Sequence, residues 1–284
     1  MNSAKPKILV TGSAGLLGSA VCDLLAQAQL PFQTLDLNQN GHSAGLNHFV
    51  GAATDSQLVQ AAIKDMQAVI HLAAIRNPNY GSSIEVFNNA LATFTVLDAA
   101  ASNGINRAMI ASSFSATGLP FANVKIQLAE LPIDESFENQ ISDTYALSKN
   151  IDELTAKYMN TRFGMRTIAI RYPYIGDHLE LLPARFAQIK QDPKVGCKEL
   201  WTYIDTRDAA QIALAAILDE ELLAGSYFVS AANVLGPFTA AELVEQHCAG
   251  ATLKTGHGKF DSLVNYSHAK AGLNFIPRYN YPNE

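Results

Sequence analysis

A glycine-rich turn near the N-terminus constrains the fold of this chain more than any other feature. Residues 7–11, with the apolar run 8–10, are typical of a strand, and Gly12, Gly15 and Gly18 follow in the spacing G-x-x-G-x-x-G before a helix-forming stretch to about residue 28. Glycines let the backbone turn tightly and approach a ligand, and a helix start offers unpaired N–H groups to a phosphate. Taken alone, three glycines also fit an ordinary βα turn. As a variant of the G-x-G-x-x-G fingerprint, they predict a dinucleotide site.

An acidic residue at the end of the next strand supports that site. Residues 32–36 are typical of a strand that ends in Asp36. A carboxylate at about this place accepts hydrogen bonds from the adenosine ribose hydroxyls of NAD. It would repel the 2′-phosphate of NADP, and no Lys or Arg occurs between Asp36 and Lys64. We therefore expect NAD, with a turn-forming role for Asp36 as the alternative.

Strand-like and helix-like segments alternate along the chain. Apolar strand patterns lie near 7–11, 32–36, 47–50, 68–72, 107–112 and 165–171, and helical patterns lie near 15–28, 55–63, 83–102 and 143–161. This alternation predicts an α/β fold with a doubly wound parallel sheet of the Rossmann type. We expect an NAD-binding domain over 1–173, with a return segment at about 200–230, and a small C-terminal substrate lobe over 174–284 interleaved with it. We also place a return to the sheet near 203–205 and a helix over 207–219.

Tyr145 and Lys149 lie four residues apart in the last of these helical patterns. One helical turn separates them, so they share a face. An ammonium beside a phenol stabilises the phenolate, and such a phenol can exchange a proton while a hydride moves. The alternative is a solvated surface pair.

Together these motifs resemble the extended short-chain dehydrogenase/reductases, the NAD-dependent epimerase/dehydratase family. Residues 69–74 and 89–93 add to the resemblance, with Ala92 where glycine is usual, and it extends over about residues 5–210. It implies NAD as cofactor. The cofactor-binding residues that it implies are Gly12, Ala14, Gly15, Leu16, Leu17, Gly18, Asp36, Asp55, Leu72, Ala73, Ala74, Asn89, Ser112, Tyr145, Lys149 and Pro173.

The resemblance also implies catalytic roles. Tyr145 would be the general acid/base, and Lys149 would hold the nicotinamide ribose. Ser113 would hydrogen-bond the reacting oxygen, with Ser112 as the less favoured substitute. Arg76 and Arg185 would bind the substrate, although each also fits a surface arginine.

Departures from the family pattern guide the choice of substrate. No carboxylate follows Ser113 up to Gly118, which disfavours dehydration, and Glu199 stands where nucleotide-sugar enzymes tend to carry an arginine for a diphosphate. The tail after Pro173 is also short. We therefore expect an NAD-dependent dehydrogenase for a sugar or sugar acid, similar to uronate and aldose dehydrogenases. The alternatives are an epimerase for sugars or nucleotide sugars that uses transient oxidation and a non-catalytic NAD-sensing protein.

Composition and charge limit the kinds of molecule that this chain is expected to bind. The net charge is −6 with no basic stripe, so we expect no nucleic acid. No apolar run approaches the roughly 20 residues of a membrane span, so we expect no membrane partner. Cys22, Cys197 and Cys248 show no metal-ligand spacing, which predicts no metal site and a reducing, cytoplasmic setting. We also expect a homodimer through the helices near 83–102 and 143–161.

Overall fold

A seven-stranded, entirely parallel sheet forms the centre of the molecule. The computed structural model describes residues 5–78, 82–125, 127–259 and 261–282. The strands are β1 Ile8–Thr11, β2 Phe32–Asp36, β3 His48–Val50, β4 Ala68–His71, β5 Arg107–Ser113, β6 Glu130–Leu131, β7 Arg166–Tyr172, β8 Tyr174–Gly176, β9 Tyr203–Asp205, β10 Gly225–Phe228 and β11 Thr252–Leu253. The order in the central sheet is β10-β7-β5-β4-β1-β2-β3. Two small sheets pair β8 with β9 and β6 with β11.

Helices cover both faces of the central sheet. They are α1 Leu16–Gln27, α2 Ser56–Ile63, α3 Ser83–Ser102, α4 Thr144–Phe163, α5 Leu181–Gln191, α6 Thr206–Leu218, α7 Ala240–His247 and α8 Ser267–Leu273. One apolar cluster joins the sheet to α1, α6 and α8, and a second joins it to α2, α3 and α4. The predicted doubly wound Rossmann fold is therefore confirmed. No helix within the described ranges is long and apolar enough to cross a membrane.

The inner strands are buried on both faces, as parallel strands between helix layers must be. All four residues of β1 and all four of β4 are buried. Polar side chains cap the helices that carry the site, because the first N–H groups of a helix lack partners within it. Ser82 forms a capping box with Glu85 at α3, and Asp143 accepts a hydrogen bond from Ala146 N at α4.

The predicted bounds agree with the structure over the first 172 residues, within about two residues at each end. One prediction beyond them is wrong. The strand at 203–205 pairs with β8, outside the central sheet, and the strand that returns to the sheet is β10, which pairs with β7. Because β10 begins with Gly225 and Ser226, it lacks the apolar run that revealed the other strands. The domain boundary at residue 173 stays a prediction.

A third apolar cluster lies apart from the two that cover the sheet. Its buried members come from residues 114–133 and from the chain after residue 181, and its largest are Trp201, Tyr203 and Phe228. Two hydrogen bonds from large side chains stabilise the same region. Trp201 Nε1 donates to Pro193 O at 2.7 Å, and Tyr203 Oη donates to Asn233 Oδ1 at 2.7 Å.

Candidate active site

A cleft of about 870 Å³ lies at the carboxyl ends of the central strands, where doubly wound sheets bind ligands. The predicted site residues that line it are Gly12, Ala14, Gly15, Leu16, Leu17, Gly18, Asp36, Leu72, Ala73, Ala74, Arg76, Asn89, Ser112, Ser113, Tyr145, Lys149 and Pro173. Two predicted residues do not line it, Asp55 and Arg185. Strand ends far apart in the sequence thus converge on one crevice.

The turn at one end of the cleft requires glycine at two positions. Gly12 has φ +70°, and a Cβ atom there would lie 2.5 Å from Ala73 N. A Cβ atom on Gly18 would lie 2.1 Å from Gly12 O. Both contacts are with backbone atoms, which cannot move aside as a flexible side chain can. The turn can therefore pack against the end of β4 and the start of α1 only if neither Gly12 nor Gly18 carries a side chain.

The start of α1 and the end of β2 lie side by side at this end. Asp36 Oδ2 accepts a hydrogen bond from Ala14 N at 2.9 Å, and Asp36 Oδ1 accepts one from Asn38 N at 2.8 Å. Each carboxylate oxygen keeps a lone pair for another donor. The N-cap residue of α1 is Gly15, and no side chain of a described residue caps this helix. Its first N–H groups, with the positive end of the helix dipole, are suited to a phosphate.

Asp55 has a structural contact that accounts for it without a ligand. Its Oδ1 accepts from Gln57 N at 3.0 Å and from Leu58 N at 3.1 Å, which caps α2. The cleft wall next to this helix is lined by Ala52, Ala53 and Thr54. The cofactor-binding role expected of Asp55 stays a prediction.

Asn89 holds the segment that follows β4. Its side-chain amide pairs with both backbone groups of Ile75, accepting from N and donating to O at 2.8 Å each. This pairing fixes Ala73, Ala74 and Arg76 along the cleft. Arg76 is exposed and makes no ion pair with any residue that the structure describes, so its guanidinium is available to an anion.

Tyr145 lies in the first turn of α4 and is 6% exposed. The edge of its ring contacts Phe121, with ring centroids 6.0 Å apart. Its hydroxyl makes no hydrogen bond within the described part of the chain, although it lines the cleft. Since buried tyrosine hydroxyls usually have partners, this oxygen is available to a ligand.

Lys149 is buried one helical turn further along. Its Nζ donates to Ala111 O at 2.8 Å and to Asp152 Oδ2 at 2.9 Å, and lies 5.8 Å from the centre of the Tyr145 ring. Burial opposes its charge most strongly, but Asp152, Tyr145 and Glu153 together outweigh it and raise the pKa of Lys149 above its usual value. The side chain is therefore an ammonium, with one of its three N–H donors left for the cleft.

His71 lies beneath this lysine at the end of β4. Burial, reinforced by the positive charge of Lys149, lowers the pKa of His71 to about 3. The neutral ring shares a 2.7 Å hydrogen bond with Thr11 Oγ1. It joins β4 to β1 and adds no charge to the site.

The two serines at the end of β5 differ in their partners. Ser112 Oγ donates to Glu153 Oε1 at 2.5 Å, and Glu153 accepts two bonds of 2.8 Å from Arg171. Ser113 Oγ only accepts, from Ser115 N at 3.0 Å. A hydroxyl carries one donor, so that of Ser112 is already used and that of Ser113 is available. The geometry favours Ser113 as the partner of a reacting oxygen.

Arg185 makes its contacts at the opposite end of the cleft without lining it. Its guanidinium forms an ion pair with Glu199, donates to Val195 O and lies 5.3 Å from the centre of the Tyr174 ring. Glu199 and Tyr174 line the cleft. The expected repulsion between Glu199 and a diphosphate assumed an unpaired carboxylate, and Arg185 supplies the missing positive charge.

Comparison with known proteins identifies the family. The model of the NAD-dependent epimerase/dehydratase family matches residues 8–229, most of the chain. The chain belongs to this family. The resemblance inferred from the glycine turn and the Tyr145–Lys149 pair is confirmed.

Individual proteins are similar to this chain at identities below 30%. A putative UDP-glucose 4-epimerase of Methanocaldococcus jannaschii is 29% identical over 70% of this chain and 62% of its own length. A 2-alkyl-3-oxoalkanoate reductase of Stenotrophomonas maltophilia is 29% identical over 93% of this chain and 80% of its own. The chain spans 49–62% of the length of three curated epimerases that it matches. A short-chain dehydrogenase/reductase superfamily protein from Agrobacterium tumefaciens, solved with NAD, shares the fold, with TM-score 0.72, 22% identity and coverage of 96% and 93%.

The site residues fit the cofactor of this NAD-dependent family. The uncapped start of α1 suits a pyrophosphate, and the carboxylate of Asp36 suits a ribose diol. Neither Gly12 nor Gly18 leaves room for a side chain between the turn and its neighbours. In the described ranges, no group of three or more His, Cys, Asp or Glu side chains is placed to hold a metal ion.

Sequence reasoning missed several residues that shape the site. Asp152 forms an ion pair with Lys149. Glu153 accepts a hydrogen bond from Ser112 and is itself paired with Arg171. The spacing offered one signal, because Asp152 follows Lys149 by three residues and thus shares its helix face. Other cleft-lining residues outside the prediction include Leu37, Asn38, Glu85, Asn88, Phe121, Tyr172, Tyr174 and Ile175.

Proposed function

We propose that this protein is an NAD-dependent epimerase that inverts a hydroxyl-bearing carbon of a nucleoside diphosphate sugar through transient oxidation. The observation that carries the proposal is the available hydroxyl of Tyr145, which lines the same cleft as the glycine turn and Asp36. A proton acceptor beside a dinucleotide site suits the oxidation of a carbinol.

The chain's own residues would handle the proton and the oxygen. NAD, when bound, supplies the hydride acceptor. Tyr145 removes the proton from the sugar hydroxyl, and the ammonium of Lys149 stabilises the phenolate. Ser113 donates its hydrogen to the same oxygen. Inversion would follow if the carbonyl intermediate turns over in the cleft, so that the hydride returns to the opposite face of the same carbon while Tyr145 returns the proton to its oxygen.

Two features support a nucleotide sugar over the free sugar acid expected from sequence. Arg185 neutralises Glu199, so the charge argument against a diphosphate loses its basis. Arg76 is exposed and lines the cleft, where it can meet an anion. The relatives named UDP-glucose 4-epimerase point in the same direction, so a sugar dehydrogenase is the less well supported interpretation.

The test is incubation of the purified protein with UDP-glucose and other nucleotide sugars, followed by chromatographic separation of the epimers. We expect an epimer to form without net production of NADH. Tyr145→Phe should abolish this conversion while the ring still packs against Phe121. Tyr266→Phe is the control, because Tyr266 is partly buried, does not line the cleft and should leave turnover unchanged. Equal activity of the two variants would refute the proposed role of Tyr145.

A net oxidoreductase is the second candidate function. One observation favours it: the matching reductase is similar over 93% of this chain, whereas the epimerase from Methanocaldococcus jannaschii is similar over 70%. In that case NADH would accumulate with a hydroxyl substrate, or be consumed with a carbonyl substrate, and no epimer would appear. The same incubation, followed by NADH absorbance, separates the two functions.

We also propose that two copies associate through α3 and α4. Exposed apolar side chains follow one face of α3 at helical spacing: Ile84, Phe87, Leu91 and Phe94. Leu147, Leu154 and Tyr158 form a similar exposed row on α4, and Phe94 stacks on Tyr158. Leu154→Glu should convert the dimer to a monomer in analytical ultracentrifugation. Leu223→Glu, an equally exposed leucine elsewhere, should not.

A further inference from the structure

Two cysteines far apart in the chain meet in the third apolar cluster. Cys197 belongs to a 3-10 helical segment, Pro193–Glu199, and Cys248 is the C-cap residue of α7. Cys248 is one of the buried members of this cluster, and Cys197 packs against it. Cys197 Sγ lies 3.5 Å from the carbonyl oxygen of His247, the residue next to Cys248. The tertiary structure thus brings together two thiols that are fifty-one positions apart in the sequence.

The two thiols differ in exposure and acidity. Cys197 is partly exposed, whereas Cys248 is 5% exposed. The hydrogen bond from Cys248 stabilises the thiolate of Cys197, and the ammonium of Lys198 adds to this against the effect of burial, so the pKa of Cys197 is lowered to about 7. The same contact and its own burial raise the pKa of Cys248. Cys197 is thus the reactive thiol and Cys248 the protected one.

We propose that Cys197 and Cys248 form a redox-modification site that reacts with low-molecular-weight disulfides and closes into a reversible intramolecular disulfide. The thiolate of Cys197 attacks one sulfur of the small disulfide, which forms a mixed disulfide and releases one small thiol. Cys248 then loses its proton and attacks Cys197 Sγ, which releases the second small thiol. Two protein thiols are oxidised, and one small disulfide is reduced to two thiols.

The position of the pair connects it with the wall of the cleft. Glu199 lines the cleft two residues after Cys197, and Lys198 Nζ donates to Ala122 O at 2.7 Å, next to the cleft residue Phe121. A bond between Cys197 and Cys248 would fasten this segment to α7. In the reducing compartment that the sequence predicts, such a bond would be transient and responsive to the thiol–disulfide balance. The inference does not depend on which sugar the enzyme converts.

The chain carries an internal control. Cys22 is fully buried on α1, and burial raises its pKa to about 12. The experiment treats the folded full-length protein with oxidised glutathione, then counts free thiols and maps the modified peptides by mass spectrometry. We expect the thiol count to fall from three to one, with Cys22 unmodified, and a reducing agent to restore all three. The initial rate should rise with pH through about 7, as the thiolate of Cys197 forms.

Two single variants separate the roles of the pair. Cys248→Ser should accumulate a stable mixed disulfide of glutathione at Cys197, because no second thiol can displace it. Cys197→Ser should react no faster than Cys22 does. Failure of the wild-type protein to form the intramolecular bond, or a Cys248→Ser variant that takes up no glutathione, would overturn the proposal. Circular dichroism of each variant shows that the folded protein was tested.

Discussion

Lys149 Nζ lies 2.9 Å from Asp152 Oδ2, and both side chains are almost completely buried within α4. The other oxygen of Asp152 has no hydrogen-bond partner among the described residues. The lysine is therefore the principal polar contact of this carboxylate. A lone buried lysine tends to lose its proton, so Asp152 helps to keep the Lys149 ammonium charged at this depth.

Replacing Asp152 by Asn should shift the pH dependence of turnover. Because Asp152 raises the pKa of Lys149, its loss lowers that pKa. Activity that needs the ammonium disappears as pH rises through this pKa, so the alkaline limb of the kcat profile should move to lower pH. The unfolding free energy should also fall by about 3–5 kcal/mol, the usual effect of breaking a buried pair. Asp98→Asn, an exposed acid on α3, is the control, and an unmoved alkaline limb would contradict the positioning role.

The serine pair should separate catalysis from stability. Ser113→Ala removes an available donor to the reacting oxygen, so kcat should fall about 100-fold or more, while the loss of its cap on Ser115 N should cost about 0.5–1 kcal/mol. Ser112→Ala removes one of the two donors to Glu153 Oε1, the other being Arg171 Nε, and should cost about 1.5–3 kcal/mol of unfolding free energy. Turnover assays and chemical denaturation of both variants test this. The assignment fails if Ser112→Ala has the larger effect on kcat.

The glycine turn offers a comparison between neighbouring positions. In Gly18→Ala the new methyl group would lie 2.1 Å from Gly12 O, so backbone must move, at a cost of about 1–3 kcal/mol. In Gly15→Ala the nearest atom would be 3.4 Å away and φ is an ordinary −72°, so the cost should be about 1 kcal/mol or less. Thermal unfolding without cofactor measures both. Equal melting temperatures would show that the turn tolerates a side chain at residue 18.

The ion pair between Arg185 and Glu199 should affect substrate binding through charge. Arg185→Ala leaves the Glu199 carboxylate unopposed at the cleft, so KM for a nucleoside diphosphate sugar should rise about tenfold. The double variant Arg185→Ala/Glu199→Gln should recover much of this loss. Lys190→Ala, an exposed cation on the same helix, should leave KM unchanged. A double variant as poor as the single one would mean that Arg185 acts through packing.

Asp36 and Asp55 should differ in their effect on the cofactor. Asp36→Ala should weaken NAD binding by about 1.5–3 kcal/mol, the usual contribution of hydrogen bonds to a charged group, and should reduce the discrimination against NADP. Asp55→Ala should leave NAD affinity unchanged and destabilise α2 by about 1 kcal/mol, because it removes a helix cap. Isothermal titration with each dinucleotide, together with thermal unfolding, tests both outcomes. A large loss of NAD affinity in Asp55→Ala would restore its predicted cofactor role.

Short sequence patterns were sufficient to predict the main segments that form the cleft. The glycine spacing, the acid after the second strand and the Tyr145–Lys149 pair each depend on residues within one turn or one βα unit. Such short-range geometry is set by backbone sterics and helical periodicity, which are visible in sequence. Since parallel strands share one carboxyl edge, the pattern also predicted that Asp36 and Ser113 lie on the same cleft.

Partners from distant segments were not visible in the sequence. Arg185 forms an ion pair with Glu199, 14 positions away, and Arg171 forms one with Glu153, 18 positions away. Cys197 packs in the same apolar cluster as Cys248, 51 positions away.

The sequence by itself therefore determined the doubly wound fold, the family and the segments that meet at the cleft, because periodicity and turn chemistry act over a few residues. Tertiary structure alone decided which serine keeps a free donor, whether Glu199 presents a net charge and which thiol is reactive. Those properties depend on hydrogen bonds and charges between side chains whose distance is set by packing.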